Sequence, residues 1–137
     1  MNGALPLAIR PVHLGAGAVA LPQPEFPSDF AGTMAWYEDY GRRTEGDGAE
    51  GRLVSMHSFS QDWDSWEMHP QGDELVVCVA GRIVLVQELA DGSVRRIELR
   101  DGDYAINPPG TWHTADVAQS ATALFITAGM GTQGRPR

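Results

Sequence analysis

From Arg52 onward, apolar and polar residues change places in short, regular runs. "RLVSMHSFS" alternates, "ELVVCVA" is a brief apolar run bounded by glycines, and "RIVLVQEL", "SVRRIEL", "DYAIN", "WHTADV" and "TALFITA" follow. Alternation with period two puts successive side chains on opposite faces of a strand, so these runs predict strands with one buried face. The connecting pieces "AGR", "ADGS", "RDGD" and "PPGT" supply turn residues. Asp91-Gly92 between two alternating runs is a hairpin signature, and Asp101-Gly102 is a similar turn. Short strands at even spacing predict an all-β sandwich or barrel.

The first third of the chain follows another period. "SDFAGTMAWYEDYG" predicts a helix, with Ser28 as N-cap, Asp29 in the first turn and Gly41 as C-terminal cap. Phe30, Met34 and Tyr37 fall at i, i+4 and i+7 and form one apolar stripe. Trp36, Tyr37 and Tyr40 are expected to pack this helix against the outside of the domain. "RRTEGDGAEGR" reads as a mobile loop. Before the helix, residues rich in Ala, Gly and Pro predict an arm able to form one or two edge strands, where proline is tolerated. The resulting scheme is an N-terminal arm (1–27), a helix (28–43), a β-barrel (50–128) and a flexible tail (129–137).

Bulk properties narrow the partners. A chain of 137 residues fits one domain. Its net charge of −8 and pI near 4.8 argue against nucleic-acid backbones and anionic membrane surfaces, both of which need a basic patch. A small-molecule ligand or another protein is the expected partner. The lone cysteine, Cys78, excludes a disulfide framework and reads as an interior residue of a reducing compartment, with the cytoplasm as the expectation. No stretch approaches the ~18 apolar residues of a membrane span. The N-terminal "LGAGAVAL" is too weakly apolar for a secretory signal.

The candidate chemistry lies in "WEMHPQGDELVVCVAG", where two acids and a histidine stand beside residues that want burial. Unpaired charges are costly in a core, so such groups stay in water, pair with each other or hold a metal. On a strand, Glu67 and His69 point the same way and Trp66 and Met68 the other. The turn "HPQGDE" then lets Glu74 open the next strand. Much later, "GDYAINPPGTWH" sets His113 at the start of another strand, after a bend fixed by Pro108, Pro109 and Gly110. Asn107, just before it, reads as structural.

These residues resemble the two motifs of the cupin superfamily. Glu67-x-His69, four residues, Glu74, six residues, Gly81 has the spacing of the first motif. Gly102, Pro108, Gly110 and His113 fall in register with the second. The resemblance spans roughly residues 50 to 127. Three positions depart from it. Gln61 stands where the first motif opens on glycine, Glu67 where it has a histidine, and Val117 where the second closes on asparagine.

The resemblance implies a double-stranded β-helix, or jelly-roll barrel, enclosing a divalent metal ion (Fe, Mn, Zn or Ni) on Glu67, His69, Glu74 and His113. Either Glu67 ligates, giving two imidazoles and two carboxylates, or it stands aside and leaves a 2-His-1-carboxylate set. With Glu67 included, the charge of a divalent ion is cancelled. Such a site is a weaker Lewis acid than one with three histidines and one glutamate. The competing account is a hydrogen-bonded polar cluster without metal. The chemistry so implied is a metal-dependent oxygenase or isomerase, or else non-catalytic capture of a sugar or metabolite. His57 and His13 are read as satisfied or solvated histidines rather than ligands. Trp66 and Met68 suit packing, Trp112 stands beside His113, and Trp63 suits either packing or the wall of a pocket. Cys78, among branched aliphatics, is expected to be inert. The resemblance also implies a homodimer, with the N-terminal arm crossing to cover the partner's strand edges.

Overall fold

The computed structural model describes residues 3–137. Among them are ten strands and one α-helix. An arm of two short strands, β1 (Val12–Gly15) and β2 (Val19–Pro22), precedes α1 (Phe30–Thr44). The barrel then runs through β3 (Arg52–Phe59), β4 (Ser65–Met68), β5 (Glu74–Glu88) and β6 (Val94–Arg100). It continues with β7 (Tyr104–Asn107), β8 (His113–Asp116), β9 (Ala121–Thr127) and β10 (Gln133–Pro136). All pairings are antiparallel. The expected all-β jelly-roll barrel with one N-terminal helix and an arm is what forms.

The architecture turns on β5. The runs "ELVVCVA" and "RIVLVQEL", expected as two strands, are one strand of 15 residues. Its first half pairs with β7 and β9, and its second half with β6 and β8. Two sheets result, β7-β5-β9-β3-β1-β2 and β10-β4-β8-β5-β6, sharing β5, which is paired on both sides in each. The crossing is made by a register shift between Cys78 and Ala80, followed by Gly81 at φ 86°. A Cβ on Gly81 would fall 2.3 Å from the Ser120 carbonyl oxygen, so a larger residue would collide with backbone. Both halves of β5 send their inward residues into one core. Val76, Cys78, Ile83 and Leu85 pack there with Leu99, Ala115, Val117, Ala123 and Phe125.

The helix covers one end of this barrel, and it extends beyond its predicted limits. Gly41 does not stop it: α1 continues to Thr44, whose hydroxyl donates to the Tyr40 carbonyl, and then gives way to 3-10 turns over Glu45–Glu50, interrupted by a kink at Gly48. The N-cap is Asp29 rather than Ser28. Trp36, Tyr37 and Tyr40 bury Leu53 of β3 beneath them, with Trp36 and Tyr40 stacked at 5.5 Å. The aromatic residues therefore pack as expected, and Met34 joins their margin.

Three expectations about the chain's periphery are corrected. His13, read as solvated, is 1% exposed. Its ring nitrogens lie 2.6 Å from the Tyr40 hydroxyl and 2.6 Å from Asp47 Oδ2. Because β1 is inserted between β2 and β3, its inward residue is trapped under the helix. Asp47 in turn anchors the segment read as a mobile loop. The C-terminal residues, read as a flexible tail, form β10 and pair with β4. Glycines make that docking possible. A Cβ on Gly134 would come within 2.7 Å of Met34 Sδ, and one on Gly129 within 3.0 Å of the Tyr40 ring. The N-terminal arm pairs through β1 with β3 of its own chain and so covers that chain's own edge.

Candidate metal centre

The strand register brings the polar residues together. Glu74 is the cross-strand partner of both Asn107 and Thr127 in one sheet. In the other, His113 is the partner of both Gln87 and Glu67. His69 follows directly after β4 and is 2% exposed, as Glu74 is, with His113 at 1%. Pairing in register on one face holds these side chains within a few ångströms of each other.

The hydrogen bonds fix which way each imidazole faces. Thr132 donates its hydroxyl proton to the Gly129 carbonyl at 2.7 Å, so its oxygen accepts from His69 Nδ1 at 2.8 Å. His113 Nδ1 donates to the Thr111 carbonyl at 3.3 Å. Both rings thus carry a proton on Nδ1 and turn Nε2 inward, where neither Nε2 has a hydrogen-bond partner. Facing them is the Glu74 carboxylate, 3.0 Å from His69 Nε2 and 3.2 Å from His113 Nε2. Its two oxygens already accept from Asn107 Nδ2 at 3.0 Å and from the Thr127 hydroxyl at 2.7 Å. Asn107 is itself held by Gln87 Nε2 at 2.8 Å.

Two neutral Nε2 lone pairs pointed at a carboxylate about 3 Å away repel it. Only a positive charge there relieves the conflict, either a proton on each Nε2 or a cation among them. The titration behaviour has the same origin. Burial alone would raise the Glu74 carboxyl, but the two imidazoles outweigh it and hold the group well below the usual carboxylate range. Burial alone would depress His113, and the Glu74 carboxylate outweighs it, so His113 is raised.

The side chains whose ligand atoms converge are Glu67, His69 and His113, and Glu74 stands outside that group. Glu67, His69 and His113 each offer one ligand atom, all within 4.8 Å of one another. Burial pushes the Glu67 carboxyl up, against the pull of His69 and His113. The residue types, two imidazole nitrogens and carboxylate oxygens, suit a first-row divalent ion. The orphaned Nε2 atoms therefore fit a metal at this point.

Glu67 and Glu74 also line a cavity of about 580 Å³, walled by the segment leading into α1, by α1 itself and by the loop between β3 and β4. Trp63 lies on its wall, its ring 6.3 Å from that of His113 and its indole nitrogen buried without a partner. His57, half-buried among Phe26, Phe59 and Phe125, lines the cavity but does not join the cluster, and burial lowers its basicity. Trp66 and Trp112 point to the other side of their sheet, where the Arg135 guanidinium lies 5.3 Å and 4.5 Å from their rings. Cys78 is fully buried and its thiol is pushed up by that burial, which suits an inert role.

Several contributors escaped the sequence reading. Asn107, read as structural, holds Glu74 directly. Thr127 ends the inward row Ala121, Ala123, Phe125, Thr127, and a polar residue closing an apolar row was the available sign of it. Tyr37 belongs to the cavity wall as well as the helix packing, its ring 6.1 Å from His69. Thr132 arrives from the C-terminal segment 63 residues beyond His69, and nothing local announces it.

The family model described as "Cupin domain" matches residues 60–129. Among solved structures, an oxalate oxidase aligns with 59% of this chain and 44% of its own length, at 13% identity and a TM-score of 0.52. An oxalate oxidase in complex with the substrate analogue glycolate aligns with 60% of this chain and 45% of its own, at 13% identity and a TM-score of 0.53. A cupin-2 domain protein from Shewanella frigidimarina aligns with 63% of this chain and 71% of its own, at 17% identity and a TM-score of 0.47. The chain thus spans less than half the length of those oxalate oxidases, and identities this low speak to the fold alone. No curated protein sequence matches the chain.

Proposed function

The chain belongs to the cupin domain family, and from that premise we propose that it is a small metal-binding cupin. Glu67, His69, Glu74 and His113 hold one divalent ion beside a cavity that receives a small organic ligand. The observation that carries this reading is the pair of inward Nε2 atoms, each buried, each fixed in tautomer by its Nδ1 contact, and each without a hydrogen bond. When bound, the ion supplies Lewis-acid polarisation of an oxygenated ligand. The chain's own residues do the rest. Asn107 and Thr127 orient Glu74, Thr132 and the Thr111 carbonyl orient the imidazoles, and α1 supplies part of the cavity wall through Phe30, Thr33 and Tyr37. Two carboxylates leave a divalent site electrically neutral, so it acts as a mild rather than a strong Lewis acid.

Metal analysis by mass spectrometry of protein purified without an affinity resin tests the reading. Roughly one divalent ion per chain is expected, with occupancy lost in Glu74→Gln and affinity lowered in Glu67→Ala. An unchanged affinity in Glu67→Ala would remove that residue from the ligand set. Oxygen consumption with added oxygenated ligands then separates turnover from capture alone. The unpaired, buried Cys78 suits a reducing compartment such as the cytoplasm.

A homodimer is part of the same proposal. The outward face of the β5-β9-β3 sheet carries the cross-strand row Ile106, Leu75, Ile126, Val54 and Val12. Tyr104 and Ile106 at its margin are 65% and 48% exposed. Apolar surface of this kind suits association with a second copy. Sizing chromatography with light scattering should return twice the chain mass at micromolar concentration, and a monomer would contradict it.

A further inference from the structure

The cavity beside the histidines has a one-sided electrostatic lining. Five carboxylates border it, those of Asp29, Asp62, Asp64, Glu67 and Glu74, and no arginine or lysine does. Among the described residues, none of Asp29, Asp62, Asp64 and Glu67 pairs with a cationic side chain outside the imidazole cluster. Between these acids stand the rings of Phe26, Phe30, Tyr37, Phe59, Trp63 and Phe125. Aromatic faces carry negative quadrupole density, and a concave wall lined by one sign of charge concentrates the opposite sign within it. Glu67 and Glu74 are the members of the imidazole cluster that line this space, and behind them the Nε2 atoms of His69 and His113 lie 3.0 Å and 3.2 Å from the Glu74 carboxylate. A divalent ion at that point would neutralise only Glu67 and Glu74. Asp29, Asp62 and Asp64 would still face the entrance.

We propose that this cavity selects a small organic cation, an amine with an aromatic body, over neutral analogues and over carboxylates. The inference rests on reading the cavity as the ligand site of this cupin, but it does not depend on a metal being present. The ammonium group is held by the carboxylates and the ring faces together, as cation–π and ion-pair attraction both act on it. A carboxylate or phosphate meets like charge from the same groups and finds no guanidinium or ammonium to receive it. Asp29 and Asp64 are the carboxylates best placed to show this by substitution. Both are exposed, and neither side chain accepts a hydrogen bond among the described residues, whereas Asp62 Oδ1 accepts the Val117 N–H at 2.8 Å.

Isothermal titration of the full chain with three probes of one shape tests the proposal: 2-phenylethylamine, 2-phenylethanol and phenylacetate. The measurement is made on chelator-dialysed protein and again on Zn(II)-loaded protein. In the metal-free form the amine is expected to bind about tenfold tighter than the alcohol, with phenylacetate weakest. That preference should shrink between about 50 mM and about 500 mM salt, as screening weakens the exposed carboxylates. In D29N/D64N the amine should lose several-fold in affinity while the alcohol keeps its own, with the melting temperature and circular dichroism unchanged. Equal or tighter binding of the alcohol or of phenylacetate to metal-free protein would overturn the proposal. So would no binding of any probe at millimolar concentration, or an amine preference untouched by D29N/D64N. A chain that retains no ion yet prefers the amine would sink only the metal reading. A chain that loads its ion and shows no preference would sink only this one.

Discussion

Along β5 the inward side chains run Glu74, Val76 and Cys78 before the bend, then Ile83, Leu85 and Gln87 after it. The strand begins and ends polar and is apolar in its middle. Its neighbours repeat the pattern at the same end of the barrel. β8 reads His113 and then Ala115, with Val117 beyond it, and β9 reads Ala121, Ala123, Phe125 and then Thr127. One end of the interior is therefore a close-packed hydrocarbon core, and the other is a hydrogen-bonded shell around two imidazoles. The same strands build both, and the bend at Gly81 folds β5 back so that its two polar ends meet.

The difference teaches how stability and chemistry are divided in this molecule. At the apolar end, burial of side chains such as Ile83 and Leu85 supplies favourable free energy in proportion to area. At the polar end, burial of Glu74 and His113 costs free energy unless their bonds are filled. The structure fills them from outside the cluster through Asn107, Gln87, Thr127 and Thr132. The unfilled Nε2 positions are what remains.

Substitutions at the two ends should separate these roles. The largest expected effect is Leu85→Ala, at a residue that is 0% exposed. It should lower unfolding free energy by about 2–5 kcal/mol in urea titration while leaving the stoichiometry of bound metal in the folded protein unchanged. Loss of metal at full foldedness would mean the two ends are not independent. The smaller effect is Asn107→Leu, which removes the donor to Glu74 and leaves the proposed ligands in place. Metal affinity should fall roughly 10–100-fold by competition with a chelator, with a native circular dichroism spectrum. An unaltered affinity would show that Asn107 only fills space.

Much of this was readable in advance. The strands after Arg52 and the Asp91-Gly92 hairpin follow from alternation and turn chemistry, and the grouping of Glu67, His69 and His113 is in keeping with what the resemblance to the cupin motifs implied. These are local properties, or fixed distances between strands of known period. Three features were not readable in the same way. The continuity of β5 through Gly81 depends on Ser120 lying against it. The burial of His13 depends on Tyr40 and Asp47, 27 and 34 residues away. The ordering of the tail depends on α1 accepting Gly129 and Gly134.

By itself, then, the chain's pattern determined an all-β barrel with one helix, and its resemblance to the cupin motifs pointed to the side chains at the polar end, because period and spacing are written residue by residue. Only the tertiary structure decided which nitrogen of each imidazole faces inward and which groups hold Glu74. Only it gathered Asp29, Asp62 and Asp64 around the same cavity. Those outcomes depend on contacts between distant segments, and contact across the fold leaves no period in the sequence.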